Sequence, residues 1–218
     1  MNYKLSSRLL SAAIVLSSIG LIAFRSDILG ISLLHLEQVP SKEITESGPK
    51  LNPLEEALLN PKKFTPLPPE KIDVETLWLA RAIFSESKRL DEQALVAWVV
   101  RNRVDTSYRG KRSYQSVILD PHQFSAFSPS SQKKSFYTGL NAKSDEPGWQ
   151  SALHIAYAVR HAEGSLRPFS KETRHFYSER SLGDNLAPDW AVGLHPVQIK
   201  YESVDLDHWR FRFFEGVS

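Results

Sequence analysis

Between residues 74 and 104 the apolar positions read as two helices in succession. In the first, Leu79, Ala82 and Ile83 lie three or four residues apart and form one stripe. Glu86 prolongs that stripe, three residues after Ile83, while Arg81 and Lys88 fall on the opposite, solvent-facing side. Carboxylates are seldom buried without a partner, because loss of water disfavours their charged form. The same loss raises the pKa towards the neutral range that suits a general acid. On periodicity alone a plainer reading stands beside this one, a wet helix end paired with a nearby Lys or Arg.

The second helix is predicted from about residue 92 to 104, with Asp91 as its N-cap. Leu95, Val96, Ala97, Trp98, Val99 and Val100 make it apolar on every side. Such a helix lies in the middle of a domain, and this one is too short to span a bilayer. Asn102 shares the stripe of Leu95, Trp98 and Val99, so an amide reaches inward, either towards a ligand or to satisfy backbone groups. Glu86 then sits on the turn between two rigid elements.

Beyond this pair the pattern is sparser. Residues 108–112 read as a basic loop, and residues 113–119 resume a helical spacing that leads into Gln123, Phe124 and Ser125. An amide and a hydroxyl flanking an aromatic ring is how sugars are typically held. Residues 127–148 are polar, rich in Ser and Lys, and carry Phe136 and Tyr137, as either a lid along a groove or a surface excursion. A third helix is predicted over 149–163, with Trp149, Ala152, Leu153, Ala156 and Val159 inward and Gly164 as its stop. His154 and His161 lie seven apart on it, roughly 10 Å along the axis, whereas helical metal pairs sit four apart. Neither a metal nor a cofactor is expected. His175-Phe176-Tyr177 reads as a short extended piece in which Phe176 faces opposite to its neighbours. Trp190 follows in a loop, free to stack on a sugar ring or to cap the core. Residues 197–201 and 209–213 alternate and predict a closing hairpin. The fold class is α+β, mainly α.

The N-terminal part differs in composition. Lys4 and Arg8 precede an uncharged run over 9–24 that ends at Arg25, as in a signal peptide or signal anchor. Seven prolines between 40 and 69 then break any long helix and suggest a semi-extended tether. The expected division is 1–36 for the signal segment, 37–70 for the tether and 71–218 for the catalytic domain. Export to the cell envelope follows, with membrane contact through the first segment. A net charge of +2 gives no sign of a nucleic-acid partner. The absence of cysteine rules out disulfides and a thiol nucleophile.

Three blocks resemble a known family. Leu79-Ala80-Arg81-Ala82-Ile83-Phe84-Ser85-Glu86 with Val99-Val100-Arg101-Asn102-Arg103-Val104, then 117–125, then Thr173-Arg174-His175-Phe176-Tyr177, follow in the order seen in cell wall hydrolases, including the spore cortex-lytic enzymes. The resemblance covers about residues 75 to 200. It implies a lysozyme-like fold related to lytic transglycosylases, with Glu86 as the catalytic acid. It also implies that peptidoglycan glycan strands are the partner and that Gln123, Phe124, Ser125, His175 and Tyr177 line the sugar site, joined by Asn102 and Trp190. The chain departs from the family in lacking a Gly-rich turn after Glu86 and in its longer segment around 127–147.

The expected reaction is cleavage of the β-1,4 bond from N-acetylmuramic acid to N-acetylglucosamine. An ordinary glycosidase needs a second carboxylate about 5 Å away for retention or further for inversion. Asp91, Asp105 and Asp189 are candidates, none with a matching signal. A lytic transglycosylase needs only one, since the sugar's own 6-hydroxyl attacks and leaves a 1,6-anhydro end. Alternatives are a muramidase, a metal-dependent amidase, or a non-catalytic envelope protein that grips glycan. No Gly-x-Ser-x-Gly turn supports a serine hydrolase.

Overall fold

The computed structural model describes residues 65–179, 187–200 and 210–217. The apolar run at 9–24 and all but the last residues of the expected tether lie outside them. Among the described residues no helix is long and apolar enough to cross a membrane.

Helix α1 (Val74–Glu86) opens at Asp73, whose side chain accepts from the Thr76 amide at 2.7 Å. Its stripe is buried as predicted at Leu79, Ala82 and Ile83. Arg81 is not turned to solvent. Its Nε and Nη2 donate to the Leu140 carbonyl at 3.1 and 2.7 Å, and its guanidinium lies 4.8 Å from the Trp78 ring centre. A planar fork that meets both an aromatic face and an orphan carbonyl gains more there than in water. Lys88 lies exposed beyond the helix end and donates to the Phe84 carbonyl, stopping α1 at its C-terminus.

Helix α2 (Leu90–Asp105) starts earlier than expected. Asp91 is not its cap but lies inside the first turn, where it pairs with Arg89 at 2.9 Å. Acidic residues suit that place because helix N-termini carry partial positive charge. The apolar run from Leu95 to Val100 is buried throughout, as predicted. Helix α3 (Tyr114–Ile118) is capped by Ser113 in a reciprocal box with Ser116. Helix α4 (Lys134–Gly139) forms within the Ser- and Lys-rich excursion and sends Tyr137 into the core, so that segment is anchored. Helix α5 (Trp149–His161) buries the five residues predicted for it but stops before Glu163. Its end is held by Arg101, whose Nη1 donates to the Val159 and Ala162 carbonyls at 2.6 and 2.8 Å. Gly164 belongs to a separate short turn. Helices α1, α2 and α5 pack on one another around the core, with α3 against the first two.

The sheet has two strands, β1 (His175–Tyr177) and β2 (Arg212–Phe214), paired antiparallel with Phe176 opposite Phe213. The expected hairpin between 197–201 and 209–213 is therefore corrected. Residues 197–200 form no strand, and Val197 contributes one backbone bond to the Phe213 carbonyl at 2.9 Å. Phe213 instead stacks on Phe169 and meets Phe176, a burial that outweighs local alternation. The result is a mainly helical α+β arrangement.

Candidate active site

The turn after α1 is built by its own polar residues. Ser87 is buried and donates from its hydroxyl to Glu92, while Gln93 donates from Nε2 to the Ser87 carbonyl at 2.8 Å. Glu92 is 1% exposed and faces two arginines, with Nε of Arg210 at 2.7 Å and Nε of Arg89 at 3.4 Å. These contacts tie the turn after Glu86 to the first turn of α2.

Glu86 opens on a cavity of about 580 Å³. Protein still crowds it, and burial pushes its carboxyl from the ordinary 4.5 up to about 7, against the downward pull of Arg103. Among the described residues no hydrogen bond and no ion pair within 4.0 Å reaches this carboxylate. Gln123 and Ser125 form one wall with His122, and Phe176, Tyr177, Ser178, Arg210 and Phe211 form the other. Among the described residues that line it, Glu86 is the one carboxylate. A second compartment, also about 580 Å³, shares His122 and Ser125 and continues past Ser85, Ser128, Ser130 and Lys133 to Tyr137. The hydroxyl of Tyr137 is raised by burial and by the negative charge of Glu86, which places the two close in the field. The two compartments adjoin at His122 and Ser125, and Glu86 lines the first of them. His122 stands at their junction with φ 67°, a left-handed conformation that costs a non-glycine residue energy.

Of the residues expected in the site, Glu86, Gln123, Ser125 and Tyr177 line the Glu86 cavity. Phe124 is buried, borders only the second compartment, and meets Phe176 across a 6.4 Å ring separation. Asn102 borders neither compartment. It is 0% exposed, and its Nδ2 donates to the carbonyls of Ser170 and Thr173 at 3.0 and 2.8 Å. Its neighbour Arg103 donates from Nε to the Arg174 carbonyl at 2.7 Å. Two consecutive residues of α2 thus hold the backbone that runs into β1. His175 faces away from the cavity, with Nε2 2.9 Å from the Tyr108 hydroxyl. Burial, with Arg103 and Arg174 nearby, lowers its pKa to about 4, so it is neutral at physiological pH. Trp190 packs on His175, Tyr177 and Phe214, is 36% exposed, and lines neither compartment.

The carboxylates considered as second catalytic groups are elsewhere. Asp91 pairs with Arg89, Asp105 pairs with Arg167 at 2.7 Å, and Asp189 is exposed on a short turn. Among the described residues no group of three or more His, Cys, Asp and Glu could hold a metal ion.

Sequence reasoning passed over Arg103, Glu92, Arg210 and His122. The first two carried a readable signal, since a charged residue in a helix apolar on every side has to be buried with a purpose. Arg210 had none, because its place depends on a pairing with β1 that no local pattern encodes.

A mainly helical domain with a proton-retaining carboxyl lining an open cavity has the make-up of a candidate acid–base site. The chain belongs to the cell wall hydrolase family, whose profile matches residues 87–200, just over half of it. The match starts directly after Glu86, so α1 lies outside it while α2, the cavity wall at 122–125 and β1 lie within. A peptidoglycan-degrading role follows from the family. No curated protein and no solved structure matches the chain.

Proposed function

We propose that this protein cleaves the β-1,4 bond between N-acetylmuramic acid and N-acetylglucosamine as a lytic transglycosylase, on a lysozyme-like framework. The observation that carries the reading is the solitude of Glu86, a carboxyl with a pKa of about 7 and no second carboxylate among the described residues that line its cavity. Retaining glycosidases place their two carboxyl groups about 5–5.5 Å apart and inverting ones about 6.5–9.5 Å apart. With one such group, the proton from Glu86 goes to the departing glycosidic oxygen as the bond from C1 breaks. The Glu86 carboxylate then takes the proton of the same sugar's 6-hydroxyl as that oxygen bonds to C1. Glu86 ends protonated, no water is consumed, and the product carries a 1,6-anhydro ring. A pKa near neutrality suits a group that must give and then take the same proton. Gln123, Ser125 and Tyr177 hold the sugar next to the cut bond, and the Ser-lined compartment holds the strand further along. The protein works outside the cytoplasmic membrane, carried or anchored by the apolar segment at 9–24.

Mass spectrometry of soluble fragments released from peptidoglycan by the full chain tests the reaction. Muramic ends carrying the 1,6-anhydro ring are expected. Reducing muramic ends would mean that water attacks, and release of stem peptides alone would mean an amidase.

A further inference from the structure

The Glu86 cavity carries more positive charge than a neutral sugar requires. Arg103 and Arg210 both line it, against the one carboxylate of Glu86. The charge of Arg210 is offset from behind by Glu92, which does not border the cavity. Arg103 makes no ion pair among the described residues; the carboxylates that act on it from a distance are Glu86 itself and Asp120, and Asp120 already pairs with Arg109 at 2.8 Å. Arg103 is 4% exposed, and its one hydrogen bond among the described residues runs from Nε to the Arg174 carbonyl. Its Nη1 is buried with no partner. The guanidinium is held rigidly, 5.6 Å from the Phe124 ring centre and 5.9 Å from that of Tyr108. Leaving a buried donor unmade is costly, and the edge of the guanidinium that borders the cavity can donate a charge-assisted bond to a carboxylate.

The position also works against simple acid catalysis. A cation beside Glu86 draws its proton away, which is a handicap for a group that must keep it. An anion arriving on Arg103 removes that handicap at the moment the substrate binds.

We propose that Arg103, aided by Arg210, seats a carboxylate of the glycan strand beside the bond to be cut, so that the preferred substrate is an anionic strand. The proposal rests on the peptidoglycan reading above. Two groups of that polymer supply the chemistry, the free lactyl carboxyl of a muramic unit without its stem and a carboxylate of an attached stem peptide.

The test is binding by the full chain carrying Glu86→Gln, which removes turnover from the measurement. The probes are glycan strands with stems intact and strands freed of stems by an amidase. Each is offered with carboxyls free and with carboxyls converted to methylamides. Free carboxyls are expected to bind about tenfold or more tightly than the amides, as a charge-assisted contact implies. Adding Arg103→Gln should bring that ratio close to one. Because this change also strips the Arg174 carbonyl of its donor, Arg210→Gln provides a second variant, expected to reduce the ratio severalfold with the melting temperature monitored. Selectivity on stem-free strands assigns the lactyl carboxyl, and selectivity confined to stem-bearing strands assigns the stem; both uphold the seat. Equal binding of free and amidated strands, or a ratio that survives in both arginine variants, overturns it. Charge-blind binding alongside cleavage by the unaltered chain sinks the seat alone. If no strand is bound and none is cleaved, the peptidoglycan reading fails and takes the seat with it.

Discussion

The end of α1 and the start of α2 each present one glutamate to the interior, six positions apart, and the structure treats them in opposite ways. Glu92 receives a hydroxyl from Ser87 and lies against Arg89 and Arg210, so its negative charge is matched on all sides. Glu86 receives nothing within bonding distance, and the cost of its burial is met by keeping its proton up to about pH 7. One carboxylate is an architectural joint and the other is a stored proton. Under the proposed function, burial alone does not separate the structural acid from the reactive one; the inventory of partners does.

The sharpest way to break the contrast is to neutralise each in turn. Glu86→Gln should lower turnover by about a thousandfold or more, within the range for loss of a general acid, while leaving the circular dichroism spectrum unchanged. If the rate stayed within tenfold of the unaltered chain, Glu86 would not be the proton donor. Glu92→Leu should act on stability, by about 1–3 kcal/mol in urea titration, since it leaves the buried Ser87 hydroxyl without its acceptor. Retained activity in whatever fraction remains folded is expected of that variant. A turnover loss as deep as that of Glu86→Gln at full folding would erase the distinction.

The pH dependence carries the same contrast into thermodynamics. The folded pKa of Glu86, about 7, lies above its ordinary 4.5, so its contribution to stability is fully present below about pH 4.5 and is lost as pH rises through 7. Glu86→Gln should therefore match the unaltered chain near pH 4 and be more stable above pH 7, by on the order of 2–3 kcal/mol. Thermal melts at the two pH values check this, and a variant less stable at pH 8 would mean that Glu86 has a structural partner. Smaller again, Asn102→Ala should cost about 1–3 kcal/mol by freeing the Ser170 and Thr173 carbonyls. Its effect on KM should not exceed its effect on the folded fraction. Trp190→Ala, at a residue that lines neither compartment, should change KM less than about twofold. A larger rise would return the indole to the site.

What the sequence disclosed followed the range over which each interaction acts. The helices over Val74–Glu86, Leu90–Asp105 and Trp149–His161 were legible because a stripe repeated every three or four residues is a local quantity. Glu86 stood out by breaking its stripe's chemistry, and Gln123, Ser125 and Tyr177 by their place in ordered blocks. Arg81 was misjudged, and of the two readings of Asn102 the one that satisfies backbone groups holds; in both cases the partner could not be read locally. A polar group that meets an orphan carbonyl far along the chain, Leu140 for one and Thr173 for the other, has no mark in its own segment. The hairpin expected near the C-terminal end failed likewise. Alternation at 209–213 was real, but the strand's partner lay at His175–Tyr177, over thirty residues upstream.

The Glu92–Arg210 contact spans 118 positions (210 − 92) and sets an order of events during folding. Helices α1 and α2 close a turn of a few residues and can form early, whereas the wall carrying Arg210 and Phe211 must wait for one of the longest loops in the domain. On the proposed function, the cavity that Glu86 and Arg210 share is complete only once that loop has closed, so turnover should appear after the helices have formed.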